Sequence, residues 1–355
     1  MKRIATTIVL ILLCMASLVG ADSQGFRFSW FHSTSLFPES LANPYSGQSE
    51  LKMLFITEGQ PRFIRYAQQN DGTYHDVDLY DSPTKYADEK MYLHLKTGVN
   101  IGALRFGYKS AEVEFGLQAA INSIFQGFGG AGNLGFDGIY FIGMQSRLFE
   151  MVSLRVGLKH YSGHYGDEAL EKQRSAPGKP IEYVRDNNLH FGLSATPIAP
   201  LRIYAEANLP MSNTWMHPAV HIPWHIIKRT SGKPLHQEEA GREKIATTDF
   251  ADSFRAWIIN TGVEYTFGIP FVGAGFAAFD LVLHQDGQTK HQPGLYDAKN
   301  PWELEYTIAA GVQLLDMQTG GKGMLHFSYH DGRFPLLNYF YQRTSYLSFG
   351  FAFNM

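Results

Sequence analysis

The run His160-Tyr161-Ser162-Gly163-His164-Tyr165-Gly166-Asp167-Glu168 brings a base, a hydroxyl nucleophile and acidic groups into one short stretch of the 355-residue chain. In a strand, residues i and i+2 share a face with Cα atoms about 6–7 Å apart. The His160 imidazole can then reach the Ser162 hydroxyl and act as its general base. Such a base needs a third group to hold its ring in one tautomer. Asn187, in parity with Leu189, Phe191 and Leu193 on the following apolar stretch, is the candidate. The Gly163 N–H is a candidate oxyanion donor. Asp167, Glu168 and His164 offer donors to a hard cation such as Ca²⁺. Two other readings stand beside this nucleophile–base one. In the first, these are rim residues and Gly166-Asp167-Glu168 shapes a turn. In the second, His160, His164, Asp167 and Glu168 form a metal site, although HxxxH spacing is a helical rule.

The elements that carry this run read as strands. In 151–162, Val152, Leu154, Val156 and Leu158 alternate with Ser153, Arg155, Gly157 and Lys159, and the same period-two pattern recurs from residue 90 to the C-terminus. Strands are expected at 49–58, 90–108, 111–122, 137–148, 151–162, 183–196, 200–209, 253–267, 271–285, 301–315, 322–330 and 344–354. In 90–108 the apolar parity switches between Ile101 and Leu104, which predicts a bulge. Short spacers (109–110, 150, 196–200, 268–270, 318–322) alternate with long ones (123–136, 163–182, 210–252, 286–300, 331–343). Long strands, short turns on one side and long loops on the other are the pattern of a transmembrane barrel. The expected fold is therefore all-β, an antiparallel up-and-down barrel of about twelve strands in the bacterial outer membrane.

Residues 1–21 read as a signal peptide, with Lys2-Arg3, an apolar run from Ile8 and small residues at Val19-Gly20-Ala21. Cys14 follows Leu13, where a lipidation site wants a small residue. Residues 22–48 are expected as a periplasmic or plug-like N-terminal segment, and 49–355 as the barrel. With the C-terminus in the periplasm, the fifth strand runs outward. His160 and Ser162 then lie on the lipid-facing side near the extracellular rim. The C-terminal strand, Leu347, Phe349, Phe351, Phe353, Met355, is the form the barrel assembly machinery receives. Outer-membrane lipids are the other expected partner, and homodimerisation is left open.

Composition removes several alternatives. A net charge of −3 gives no basic footprint for nucleic acid. A single cysteine excludes a disulfide framework and a Cys-based zinc site. Mean hydropathy is −0.18, and beyond the N-terminus no apolar run approaches the ~20 residues of a spanning helix. The inward parity collects Glu112, Glu114, Arg147, Arg155, Lys159, Arg202, Glu206, Glu264, Glu303, Glu305, His326 and His330. Both signs occur, so a self-pairing, filled interior is favoured over an open channel. Gly127–Gly135 lacks the Lys-Ser/Thr ending of a phosphate loop and reads as an extracellular loop. His217, His221 and His225, with Trp215 and Trp224, fall in the longest loop and suggest a ligand-binding or lid segment.

Two resemblances follow from these residues. The His160-x-Ser162 pair on an outward strand face resembles outer-membrane phospholipase A and lipid A deacylase, barrel enzymes that cleave acyl esters of membrane lipids. That resemblance implies His160 as base, Ser162 as nucleophile and Asn187 as the orienting residue, with Gly163 where those enzymes carry Asn. A broader likeness, over roughly 35–210, rests on Leu36-Phe37-Pro38, Leu41-Ala42-Asn43-Pro44, Phe136-Asp137, Arg155, the run 160–168, 181–185 and 201–204. These are similar to an uncharacterised bacterial outer-membrane family, a domain of unknown function with an H-x-S-S-H-x-G-D-E-like run. It implies an envelope barrel.

Overall fold

The computed structural model describes residues 25–127 apart from 33, 60, 62–63, 69–73 and 79–89, then 132–167, 179–180, 186–211, 257–284, 302–316, 322–339 and 343–354. The signal-peptide reading at 1–21 and the His217, His221, His225 cluster lie outside the described residues, as does Glu168.

In chain order the strands are β1 (Phe26–His32), β2 (Ser49–Glu58), β3 (Ile64–Gln68), β4 (Tyr74–Asp78), β5 (Met91–Tyr108), β6 (Ala111–Gln126), β7 (Asn133–Leu148) and β8 (Val152–Tyr165). They continue as β9 (Lys179–Pro180), β10 (Asp186–Ile198), β11 (Leu201–Met211), β12 (Ile258–Ile269), β13 (Gly273–His284), β14 (Glu303–Asp316), β15 (Lys322–Arg333) and β16 (Arg343–Asn354). All but β1, β3, β4 and β9 form one antiparallel barrel of twelve strands. It closes because β16 pairs with β2 and β2 with β5, so the main sheet has no free edge to template association. β3, β4 and β9 make a separate three-stranded sheet. The register shift expected in β5 falls between Gly102 and Leu104.

Outward positions are apolar on every strand: Leu51, Phe55, Leu95, Ile142, Val156, Leu193, Ile203, Phe279, Ile308 and Phe349 are all exposed. Inward positions are buried and largely polar, with apolar clusters under the long-loop end (Leu54, Ile56, Ile124) and around Ala42 (Phe276, Ala278, Met324). A water-soluble barrel would be sorted the other way round, since monomers rarely expose wide apolar patches. Trp30, Phe31, Phe149 and Phe271 stand exposed at the short-turn end, where aromatic rings favour the membrane–water boundary.

The interior is filled from both ends. β1 pairs with the lower part of β5, His32 opposite Gly102, while β2 takes the same edge higher up, Lys96 opposite Glu50. Between these two strands, residues 34–48 lie inside the barrel. Such a segment has no strand to pair with, and its buried backbone must still find partners. Wall side chains supply them. The Leu36, Phe37 and Leu41 N–H groups donate to Glu114 (2.8 Å), Gln145 (2.9 Å) and Glu264 (2.8 Å). Ser153 Oγ donates to Leu36 O (2.8 Å) and Lys96 Nζ to Pro44 O (3.0 Å). Leu36 and Phe37 are fully buried. Around them run ion pairs: Arg155 with Glu206 (2.6 Å) and Glu39 (3.2 Å), Arg202 with Glu264 (2.9 Å), Lys52 with Glu50 (3.0 Å).

At the long-loop end, residues 334–339 turn inward as a lid. Phe334, Leu336 and Tyr339 pack with Leu54, Ile56, Tyr92, Ile124, Leu134, Tyr165 and Tyr346. The Leu337 N–H donates to the Asp137 carboxylate (3.0 Å). Beneath the lid remains a cavity of about 30 Å³, room for about one water.

The inserted segment rejoins the wall where Gly47 and Gly98 meet. A Cβ on Gly98 would lie 1.9 Å from Gly47 O, so only glycine permits the approach. Gly98→Ala is expected to cost about 1–3 kcal/mol through this overlap. A lower urea midpoint, read from the electrophoretic shift between folded and unfolded barrel, checks it.

The structure extends β6 to Gln126 and starts β7 at Asn133, so part of the glycine-rich stretch expected as loop is strand. Ile124, in this end of β6, is buried under the lid.

Candidate functional site

β8 keeps its alternation to the end. Ser153, Arg155, Lys159 and Tyr161 are buried inward, and Leu154, Val156, Leu158, His160 and Ser162 take the opposite parity. Register places Asn187 of β10 directly opposite His160 on one side and Tyr140 of β7 opposite it on the other. His160 Nδ1 and Asn187 Oδ1 are 2.8 Å apart. A carboxamide oxygen only accepts, so Nδ1 carries a proton, and in the neutral ring Nε2 keeps its lone pair. That is the tautomer a general base requires.

Ser162 lies one step further along the same face, opposite Gly138. No hydrogen bond joins Ser162 to His160 among the described residues, and contacts of this kind often tighten only when substrate binds. Gly166 N–H donates to Leu134 O on the β7 side (3.2 Å). Alternation along the strand turns the Gly163 N–H to the other edge, beyond the described start of β10 at Asp186, where it is a candidate oxyanion donor.

The strand end is braced from inside. Tyr161 packs with Ala120, Ile139 and Leu337, and Tyr165 Oη donates to Asn338 O (3.2 Å). A Cβ on Gly163 would stand 3.0 Å from Leu337 and Asn338. The lid is thus the back wall of the segment carrying His160 and Ser162.

Outside, Val99, Ala119, Tyr140, His160, Asn187 and Met211 form one cross-strand row, from β5 to β11. Ile101, Leu117, Ile142 and Leu158 form the next row. Together they line an apolar groove of about 580 Å³ that ends on the His160–Asn187 pair.

Of the residues read as cation ligands, Asp167 is exposed just beyond β8. The His164 ring stacks on Phe136 with centroids 4.7 Å apart. Among the described residues no three His, Cys, Asp or Glu side chains come together to hold a metal.

Three participants were missed by sequence reasoning: Tyr140, Gly138 and the lid with its Asp137 anchor. Tyr140 shares parity with Ile142 and Met144, but only the β7–β8 register sets it beside His160. The lid has no periodicity to read.

No protein-family model matches the chain, and no curated protein matches it in sequence. Among solved structures it is similar to the Salmonella typhi outer membrane phospholipase, a dimer with bound calcium, at 9% identity over 88% of this chain and 92% of that chain, TM-score 0.47. The Escherichia coli outer membrane phospholipase A gives 10% identity over 86% and 92%, TM-score 0.46. The NanC porin gives 10% over 86% and 100%, TM-score 0.39. The chain itself is a closed, twelve-stranded antiparallel barrel of the outer-membrane type.

Proposed function

We propose that this chain is an outer-membrane acyl hydrolase that cleaves ester bonds of membrane lipids at its lipid-facing rim. The observation that carries the reading is the His160–Asn187 hydrogen bond on the outward face, with Ser162 next on that face. A polar group at the rim costs only about 0–1 kcal/mol, so exposure alone does not demand a function. The pairing that fixes the imidazole tautomer is the more specific feature.

In this mechanism the acyl chain lies along the apolar groove and brings its ester to Ser162. His160 Nε2 takes the Ser162 proton as Oγ attacks the carbonyl carbon. The Gly163 N–H supports the resulting oxyanion. The imidazolium then protonates the departing alcohol oxygen, leaving an acyl-serine. Water, deprotonated by the same Nε2, releases the fatty acid. Asn187 holds the ring throughout.

The test is fatty-acid release from phospholipid and from lipid A by the folded protein in detergent micelles, in Ca²⁺ and in EDTA. Asn187→Ala is expected to lower kcat by roughly 10–100-fold with little change in KM, because it frees the ring rather than removing the base. Release that is unchanged in Asn187→Ala and in Ser162→Ala removes the reading. A passive channel is less well supported, since plug and lid fill the lumen among the described residues.

A further inference from the structure

Ser162 is 9% exposed although it stands on the lipid-facing side of β8, where Leu154 and Val156 are 43% and 44% exposed. Its cover on the β7 side is Tyr140. A Cβ built on Gly138, which faces Ser162, would lie 2.8 Å from Ser162 Oγ, 2.7 Å from Tyr140 Cε2 and 2.9 Å from Tyr140 Oη. The tyrosine ring is therefore folded back over the bare Cα of Gly138, and its hydroxyl end and Ser162 Oγ flank the same small space. The ring also sits 6.0 Å from the His160 ring, inclined by 33°. An extended strand would send an outward tyrosine away from its sheet. Here the missing Gly138 side chain gives the ring a place to lie.

We propose that Tyr140 is the gate of this site. At rest its ring shields Ser162 from the lipid phase. Rotation about its Cα–Cβ bond carries the ring out into the membrane boundary, where a tyrosine is well accommodated. It then opens the space in front of Gly138 to an acyl ester arriving along the groove. The proposal rests on the hydrolase reading for its purpose, but the shielding is a physical property that can be measured without catalysis.

Access is read at Ser162→Cys. The chain's single cysteine, Cys14, falls in the segment read as signal peptide, so the mature variant carries one thiol. A methanethiosulfonate reagent reports its exposure: the thiolate attacks the reagent's sulfenyl sulfur, forms a mixed disulfide and expels methanesulfinate. In the folded barrel in detergent, adding Tyr140→Ala to S162C is expected to raise the modification rate at least tenfold. Tyr140→Phe keeps the ring and is expected to stay within twofold. S146C, lower on the outward face of β7, should react at one rate with or without Tyr140→Ala. Tyr140→Ser serves as a second small variant should the alanine form fold poorly. Equal rates for S162C with and without Tyr140→Ala overturn the gate. The two readings separate through hydrolysis of a short-chain ester. If Ser162→Ala leaves hydrolysis unchanged, the hydrolase reading falls whatever the thiol rates. If Ser162→Ala abolishes it and Tyr140→Ala changes neither hydrolysis nor thiol access, the gate alone falls.

Discussion

Ser162→Ala is expected to reduce fatty-acid release by roughly 10³-fold or more while leaving the barrel nearly as stable as the parent. The size follows from the chemistry: without the hydroxyl there is no acyl-enzyme route, and nucleophile and base act as one unit. His160→Ala should therefore cost about as much, and the double variant should be hardly worse than either single one. The small stability penalty follows from the position. Ser162, although covered, makes no hydrogen bond with His160 here, and losing one hydroxyl at such a site is worth within about 1 kcal/mol. Steady-state release on mixed micelles, with folding checked by electrophoretic mobility, measures both halves. Additive losses in the double variant would contradict a shared mechanism.

Arg155→Ala is expected to produce the largest loss of stability, about 3–5 kcal/mol, and to open the lumen. Arg155 is buried and donates to Glu206 (2.6 Å), to Glu39 of the plug (3.2 Å) and to His190 Nε2 (3.0 Å). Its guanidinium also lies 4.5 Å from the centre of the Phe37 ring. Removing it strands two buried carboxylates, which is the costly way to break an ion pair. Arg155→Lys should recover only part of the loss, because a point charge cannot span both acids as the planar fork does. Since Glu39 and Phe37 belong to the inserted segment, the same change loosens the plug. The wild-type barrel in a planar bilayer is expected to show no steady conductance and Arg155→Ala to show discrete steps. A variant with an unchanged urea midpoint and a silent bilayer would show that the plug is held by other contacts.

The barrel was legible because one face of every strand is exposed and mostly apolar and the other faces a largely polar lumen, so side-chain period two runs over the whole length. Leu154, Val156 and Leu158 against Ser153, Arg155 and Lys159 show that sorting in six residues. The bulge in β5 was legible for the same reason, as a break in parity. Residues 34–48 were legible only as part of a segment read as periplasmic or plug-like; the sequence did not choose between the two, because their backbone is satisfied by wall side chains such as Glu114 and Gln145 that lie far away in sequence. The upper ends of β6 and β7 were hidden by the glycine-rich stretch between them; they pair with each other from Ser123 to Phe125 against Asn133 to Phe136, and Ile124 packs under the lid. At the site, parity alone put His160 and Ser162 outward, and position put Asn187 nearby. The covering of Ser162 needed the register, since Gly138 and Tyr140 carry no local mark of their role.

The most direct measurement is mass-spectrometric location of a fluorophosphonate adduct on the folded protein. Such a reagent is attacked by an activated serine, which displaces fluoride and leaves a stable phosphonyl ester. A His160-activated serine places the adduct on Ser162, and the adduct is lost in His160→Ala and on unfolding. A folded protein that stays unmodified, or one labelled at another serine with Ser162 untouched, would contradict the hydrolase reading.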